Sequence, residues 1–256
     1  MNQELIKRLR EKESKMIEIR RYLHEHPELS FHETETPQYI ADFYKEKDCD
    51  VETNVGPNGV KVTIDSGKPG KTIAIRADFD ALPIEEQTGL SFASKNKGVM
   101  HACGHDAHTA YMLILGETLI EMKEQFKGKV VIIHQPAEEI PPGGAQGMIK
   151  DGVLEGVYHV LGAHVMSTME AGKVFYKEGY VQTGRAYFKL VVQGKGGHGS
   201  SPHMANDAIV AGSNFVTIAQ TVVSRRLNPF ETGVVTIGSF DGKGQFNVIK
   251  DQIEID

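Results

Sequence analysis

The sequence predicts an α/β fold in two parts, an α/β domain over residues 1–182 and a smaller α+β domain over residues 183–256. Three observations carry that expectation. Helix-period and strand-like runs alternate through the first two-thirds of the chain, as they do where helices cover a sheet. From Arg185 the pattern changes to a clean period of two in "RAYFKLVVQG", which suits an antiparallel sheet with one wet face. A chain of 256 residues is also long enough for one large core or two smaller ones.

The elements follow in order. A first helix runs to about His26, where Pro27 stops it. A second, "TETPQYIADFYKEK", carries apolar residues at helical spacing, with Thr34 or Thr36 as its cap. The runs "VKVTIDSG" and "KTIAIRAD" read as strands joined by a Gly/Pro/Lys turn. "AHTAYMLILGETLIEMKEQF" is a long helix, "KVVIIHQP" a buried strand and "VYHVLGAHV" a further strand. In the second part Ala186, Phe188, Leu190 and Val192 face one way and Tyr187, Lys189 and Gln193 the other. "NDAIVAGSNFVTIAQTVVSRR" is an amphipathic helix capped by Asn206, its arginines suiting the C-terminal dipole. "GVVTIGSFDG" and "FNVIKDQIEID" are strands. This β-α-β-β order is three-quarters of a split βαβ sandwich. Ile253 and Ile255 still alternate with Gln252 and Glu254 when the sequence stops at Asp256, so the expectation is a truncated domain.

Composition narrows the function. The net charge is −6 and no Lys/Arg block occurs, which argues against a nucleic-acid partner. The N-terminus is charged and amphipathic, with no apolar core of a signal peptide. No apolar run approaches the ~18 residues needed to span a membrane, and a cytoplasmic protein is expected. Two cysteines, Cys49 and Cys103, exclude a disulfide framework and a four-cysteine zinc site.

Metal-ligand residue types stand at three element boundaries. Cys103 and His105 precede the long helix, with Gly104 between them to permit a bend. A thiolate with an imidazole suits Zn²⁺ or a similar transition metal better than Mg²⁺ or Ca²⁺. Alone, the pair more often describes a small buried cysteine beside a capping histidine. Glu138 and Glu139 follow a buried strand, and adjacent side chains diverge, so one can hold a metal while the other serves as general base. An exposed acidic loop is the plain alternative. His164 ends another apolar run, where a lone histidine is more often a hydrogen-bonded core residue than a ligand. Open α/β sheets, however, place their ligand sites at the carboxyl ends of strands, and three such ends converge on a metal hydrolase. Asp78 and Asp80 close another strand, where either could orient a ligand histidine or form a turn before Pro83. His24, His26 and His32 are expected to be structural or on the surface.

Taken together, "RRYLHEHPELSFHETET", "RADFDALPIEEQTG", "MHACGHDAHTA", "HQPAEE", "GAHV" and "GKGGHGSSPHMANDAI" resemble, in order and spacing, the M20 metallopeptidase/amidohydrolase family. The nearest branch is that of the N-acyl-amino-acid, hippurate and auxin-conjugate amidohydrolases, and the wording is especially similar to staphylococcal amidohydrolase-like aminopeptidases. The resemblance implies a zinc-peptidase-like α/β catalytic domain, here incomplete, with an inserted ferredoxin-like lid or dimerisation domain, also incomplete. It implies two divalent metal ions, Zn²⁺ or Mn²⁺, on Cys103, His105, Glu139 and His164. It implies Glu138 as general base, Asp80 as an orienting acid, and His198 as an oxyanion donor reaching a partner's site in a homodimer or higher oligomer. The implied reaction is cleavage of an amide or peptide bond of small N-acyl amino acids or peptides by metal-activated water. The family's chain returns from the lid to add a further ligand histidine after the position of Asp256. The alternative is therefore an inactive truncated homologue that folds, binds some metal and oligomerises.

"GKGGHG" also fits the dinucleotide-binding pattern G-x-G-x-x-G. That reading needs a helix opening at the glycines and an acidic residue about 20 positions on. "SSPHMA" intervenes and the region near Thr217 is neutral, so the glycines are expected to bend the backbone and project His198 instead.

Overall fold

The computed structural model describes residues 2–181 and 184–256, so the boundary expected at 182/183 falls on residues outside the described ones. Two compact units emerge, Met1–Glu170 and Ala171–Asp256.

In the first unit the expected N-terminal helix is two, α1 (Asn2–Glu11) and α2 (Glu13–Glu25), separated at Lys12. The third helix, α3 (Glu35–Tyr44), has Thr34 at its N-cap position, yet neither Thr34 nor Thr36 caps it. The cap is Glu28, whose carboxylate accepts from the backbone N–H of Thr34, Glu35 and Thr36 at 2.8–3.0 Å. A carboxylate reaching back from the preceding turn satisfies orphan donors that a hydroxyl could satisfy only one at a time.

Five strands form one mixed sheet: β1 (Asp50–Val55), β2 (Gly59–Asp65), β3 (Thr72–Asp78), β4 (Lys129–Gln135) and β5 (Val157–Gly162), in the order β1-β2-β4-β3-β5. β1, β2 and β4 pair antiparallel, whereas β3 runs parallel to both β4 and β5. The alternation of strand side chains divides two cores. Val60, Val62, Ile64, Ala77 and Ile132 pack beneath Ile19, Leu23, Ile40, Tyr44 and Leu113 of the helical layer. Val131 and Ile133, one residue out of phase, point to the other face with Ala74 and Met148. α4 (His105–Glu121) lies on the first face and α5 (Gly144–Lys150), carrying Met148, on the second. β1 and α5 were not foreseen; both are short and carry too few apolar residues for a periodic signal.

The second unit holds β6 (Leu190–Gln193), β7 (Gly197–His198), α6 (Ala208–Ala219), α7 (Thr221–Arg226), β8 (Phe240–Asp241), β9 (Val248–Ile249) and β10 (Gln252–Ile255). β10 pairs antiparallel with both β6 and β8, and α6 covers the apolar face. Ile253, Ile255, Leu190 and Val192 meet Ala208, Phe215 and Val216 there. The N-cap is Asp207, not Asn206: its side chain accepts from Ile209 and Val210 N–H. The single long helix expected is broken at Gln220 into α6 and α7.

The glycine-rich loop differs from expectation in its reason. Gly194, Gly196, Gly197 and Gly199 serve close approach rather than a bend. A Cβ on Gly194 would stand 2.2 Å from the Asn206 carbonyl oxygen, and one on Gly199 would stand 2.9 Å from that of Asn247. Gly197 and His198 form β7, paired with β9, and α6 begins at Ala208, eleven residues after Gly197, so no helix N-terminus opens on the glycines.

Candidate metal centre

The site grows from the carboxyl ends of β3, β4 and β5 and the first turn of α4. Gly104 sits at the N-cap of α4 with φ +87, a left-handed conformation that turns the chain between Cys103 and His105. Ligand atoms of Cys103, His105 and His164 consequently lie within 4.8 Å of one another, and so do those of His105, Glu138 and Glu139. His164 Nε2 stands 3.4 Å from Cys103 Sγ. The adjacent carboxylates do not diverge as the sequence suggested. They follow Ala137, whose φ of +49 breaks the strand alternation, and both offer an oxygen towards His105.

Each of the two aspartates takes its own histidine. His105 Nδ1 donates to the Asp80 backbone oxygen at 2.9 Å and to Asp80 Oδ1 at 3.1 Å. His108 Nδ1 donates to Asp78 Oδ1 at 2.6 Å. Asp80 also accepts from Ser30 Oγ at 2.7 Å and from Glu139 N–H at 3.0 Å, so one carboxylate orients an imidazole and the Glu139 backbone together. Arg76 Nη1 lies 2.6 Å from Asp78 Oδ2. Burial alone would raise both carboxyls. For Asp78 the His108 hydrogen bond and the Arg76 guanidinium outweigh it, and for Asp80 the His105 hydrogen bond and backbone N–H groups do, leaving both below the usual carboxylate range.

The residues present fit a cation. His105 Nε2 is buried without a hydrogen-bond partner, and so is Glu139 Oε1, 3.8 Å away. Such orphaned atoms are costly unless something else binds them. Burial and the Glu139 carboxylate push the Cys103 thiol up to about 12, the response of a thiol in an anionic surrounding that a bound cation would reverse. For His105, burial disfavours the imidazolium, but Asp80, Asp78 and Glu139 prevail and its pKa is raised. A position that attracts a proton between an imidazole and carboxylates also attracts a metal ion.

His198 lies in the second unit and is exposed. Ser200 N–H donates to its Nδ1 at 3.2 Å, which places the ring proton on Nε2. Of the two roles expected, His24 takes the structural one, buried and bonding Asp106 Oδ2 at 2.7 Å; His26 Nδ1 donates to the Tyr22 carbonyl. Sequence reasoning missed His108, Ser30 and Glu33. The i, i+3 spacing of His105 and His108 was a usable signal, because it puts both rings on one face of α4. Ser30 and Glu33 carried none, since nothing local marks a polar loop residue as buried.

This mixed α/β sheet gathers thiol, imidazole and carboxylate donors at its strand ends, an arrangement that could hold a metal ion. Residues 74–229 match the model of peptidase family M20/M25/M40, and the chain belongs to that family. It is 40% identical over 256 residues to the N-acyl-L-amino acid amidohydrolase of Geobacillus stearothermophilus, covering 100% of this chain and 69% of the relative. A solved structure of a proposed aminohydrolase from methicillin resistant Staphylococcus aureus is 81% identical, with a TM-score of 0.80, covering 100% of this chain and 66% of that one. A Bacillus subtilis structure described as a dinuclear metal binding peptidase of the M20 family is 35% identical, with a TM-score of 0.66, covering 94% of this chain and 62% of that one. The chain spans about 60% of the length of other curated relatives it matches, at 46% and 42% identity. Among the described residues no helix is long and apolar enough to cross a membrane.

Proposed function

We propose that the chain belongs to a metal-dependent hydrolase that cleaves the amide or peptide bond of small N-acyl amino acids or short peptides. Cys103, His105, Glu139 and His164 would hold two divalent ions, with Zn²⁺ favoured over Mn²⁺ by the thiol. The observation that carries this reading is the facing pair of orphaned atoms, His105 Nε2 and Glu139 Oε1, inside a ring of further donors. The relatives' names as amidohydrolases and the dinuclear description of one of them point the same way.

When bound, the ions supply Lewis-acid polarisation of the scissile carbonyl and make water more acidic. The chain's own residues do the rest. Glu138 takes a proton from the attacking water and returns it to the departing amine. Asp80 holds His105 by Nδ1 and so keeps Nε2 turned into the site. His198, with its proton on Nε2, is the proposed donor to the oxyanion, acting within a homodimer or higher homo-oligomer assembled through the second unit. The working division is a metal-binding α/β domain over residues 1–182 and a lid domain from residue 183.

The test compares wild type with Glu138→Gln for bound zinc and for hydrolysis of N-acetyl-methionine or hippurate. Zinc retained with turnover lost supports the assignment, whereas turnover surviving at more than about 1% of wild type overturns Glu138 as the base. Zinc bound by a wild type that hydrolyses nothing would favour a binding-only, oligomeric homologue.

A further inference from the structure

His164 stands on an exposed loop two residues beyond the end of β5, a poor place to hold a side chain still. The backbone on each side of it is nonetheless tied to α4. Tyr111 Oη donates to the Ala163 carbonyl oxygen at 2.7 Å. Val165 N–H donates to His108 Nε2 at 2.9 Å. His108 can accept there because its proton is on Nδ1, given to Asp78 Oδ1 at 2.6 Å. Both ring nitrogens of His108 are thereby used. Although Asp78, His105 and His108 have ligand atoms within 4.8 Å of one another, His108 has no lone pair left for an ion unless it releases Val165.

The three residues concerned, His105, His108 and Tyr111, recur every third position along α4, so that each ring neighbours the next. One rigid helix thus carries the Cys103–His105 turn at its start and, one to two turns later, the two groups that grip the His164 loop.

We propose that His108 and Tyr111 are positioning residues that clamp the peptide groups flanking His164, presenting its Nε2 to Cys103 and His105. The proposal rests on the metal-binding reading of those three side chains. A rigidly aimed ligand loses less freedom when it binds, so loosening the clamp weakens metal affinity without removing a ligand.

The experiment is a zinc titration of the full chain against a chromophoric chelator, using wild type, Tyr111→Phe, His164→Ala and the double variant. Tyr111→Phe removes one oxygen and no packing volume, and should bind zinc about tenfold more weakly. In the His164→Ala background the same change should have no further effect, because the clamp acts only through His164. A Tyr111→Phe variant with wild-type affinity, or one weakened equally in both backgrounds, would overturn the clamp. Amide hydrogen exchange in the metal-free chain gives an independent arm. Val165 N–H should exchange at least ~10-fold faster in His108→Gln or Tyr111→Phe than in wild type, and equal rates would also overturn the clamp. A wild type that binds no zinc would instead overturn the proposed function itself and leave the exchange arm to judge the loop.

Discussion

Glu33 has no solvent exposure; its Oε1 accepts the Ala137 N–H at 2.8 Å and its Oε2 has no hydrogen-bond partner. Burial pushes its carboxyl up to about 7, well above the ~4.3 of an unfolded chain. Between those values the folded state binds a proton that the unfolded state does not. Its contribution is therefore fully present below about pH 4.3 and is lost as pH rises to about 7, at no more than ~1.4 kcal/mol per pH unit. In Glu33→Gln the slope of urea-unfolding free energy against pH should flatten over that window; an unchanged slope would show that Glu33 ionises freely. Sequence reasoning singled out Cys103, His105, Glu138, Glu139, His164 and Asp80 because each follows or precedes an apolar run, and the structure brings their side chains to one place. Glu33 and Ser30 escaped it because burial, not residue type, makes them informative, and His108 because its i, i+3 spacing from His105 was passed over.

At the scale of elements, the long strands and helices were legible and their ends were not. β2, β3, β4 and α4 are long enough for apolar spacing to declare them. Caps depend on which polar atom happens to reach the first turn. Glu28 displaced Thr34 and Thr36 at α3, and Asp207 displaced Asn206 at α6. The second case is directly testable. Asp207→Ala should cost the second unit about 1 kcal/mol of unfolding free energy in a urea melt. Asn206→Ala, at an exposed side chain, should stay within about 0.5 kcal/mol of wild type. The reverse ranking would return the cap to Asn206. α4 shows how an element can matter beyond its own packing: nearly its whole first half is buried, and it links the Cys103–His105 turn to the loop after β5.

Across the first unit, a second set of ionisable groups acts opposite to Glu33, so that acid withdraws their contribution. His134 on β4 is fully buried, and desolvation drives its pKa down to about 3. The carboxyl of Glu117 is pressed by burial but held at about 2 by Lys15 and Lys47, and Asp78, Asp80 and Asp106 are also lowered. Groups lowered on folding stabilise above their unfolded pKa and lose that contribution as pH falls. For His134 the window runs from about 6.5 down to about 3. His134→Leu, which removes the buried imidazole, should move the acid-unfolding midpoint of the metal-free chain to lower pH by circular dichroism. A midpoint unchanged from wild type would mean that His134 is not protonated during acid unfolding.

Two properties of this chain followed from its amino-acid order alone. One is the α/β class, because periods of 3.6 and 2 are local signals; the other is family membership, because motif spacing is linear information. What only the tertiary structure decided is which polar groups share a buried space. Asp78 and Asp80 are two residues apart, yet one holds His108 and the other His105, since β3 ends between them. Glu138 and Glu139 converge because Ala137 takes a positive φ that Glu33 helps to hold from more than a hundred residues away. Hydrogen bonds of such long sequence separation exist only after the cores have packed, and no local pattern encodes them.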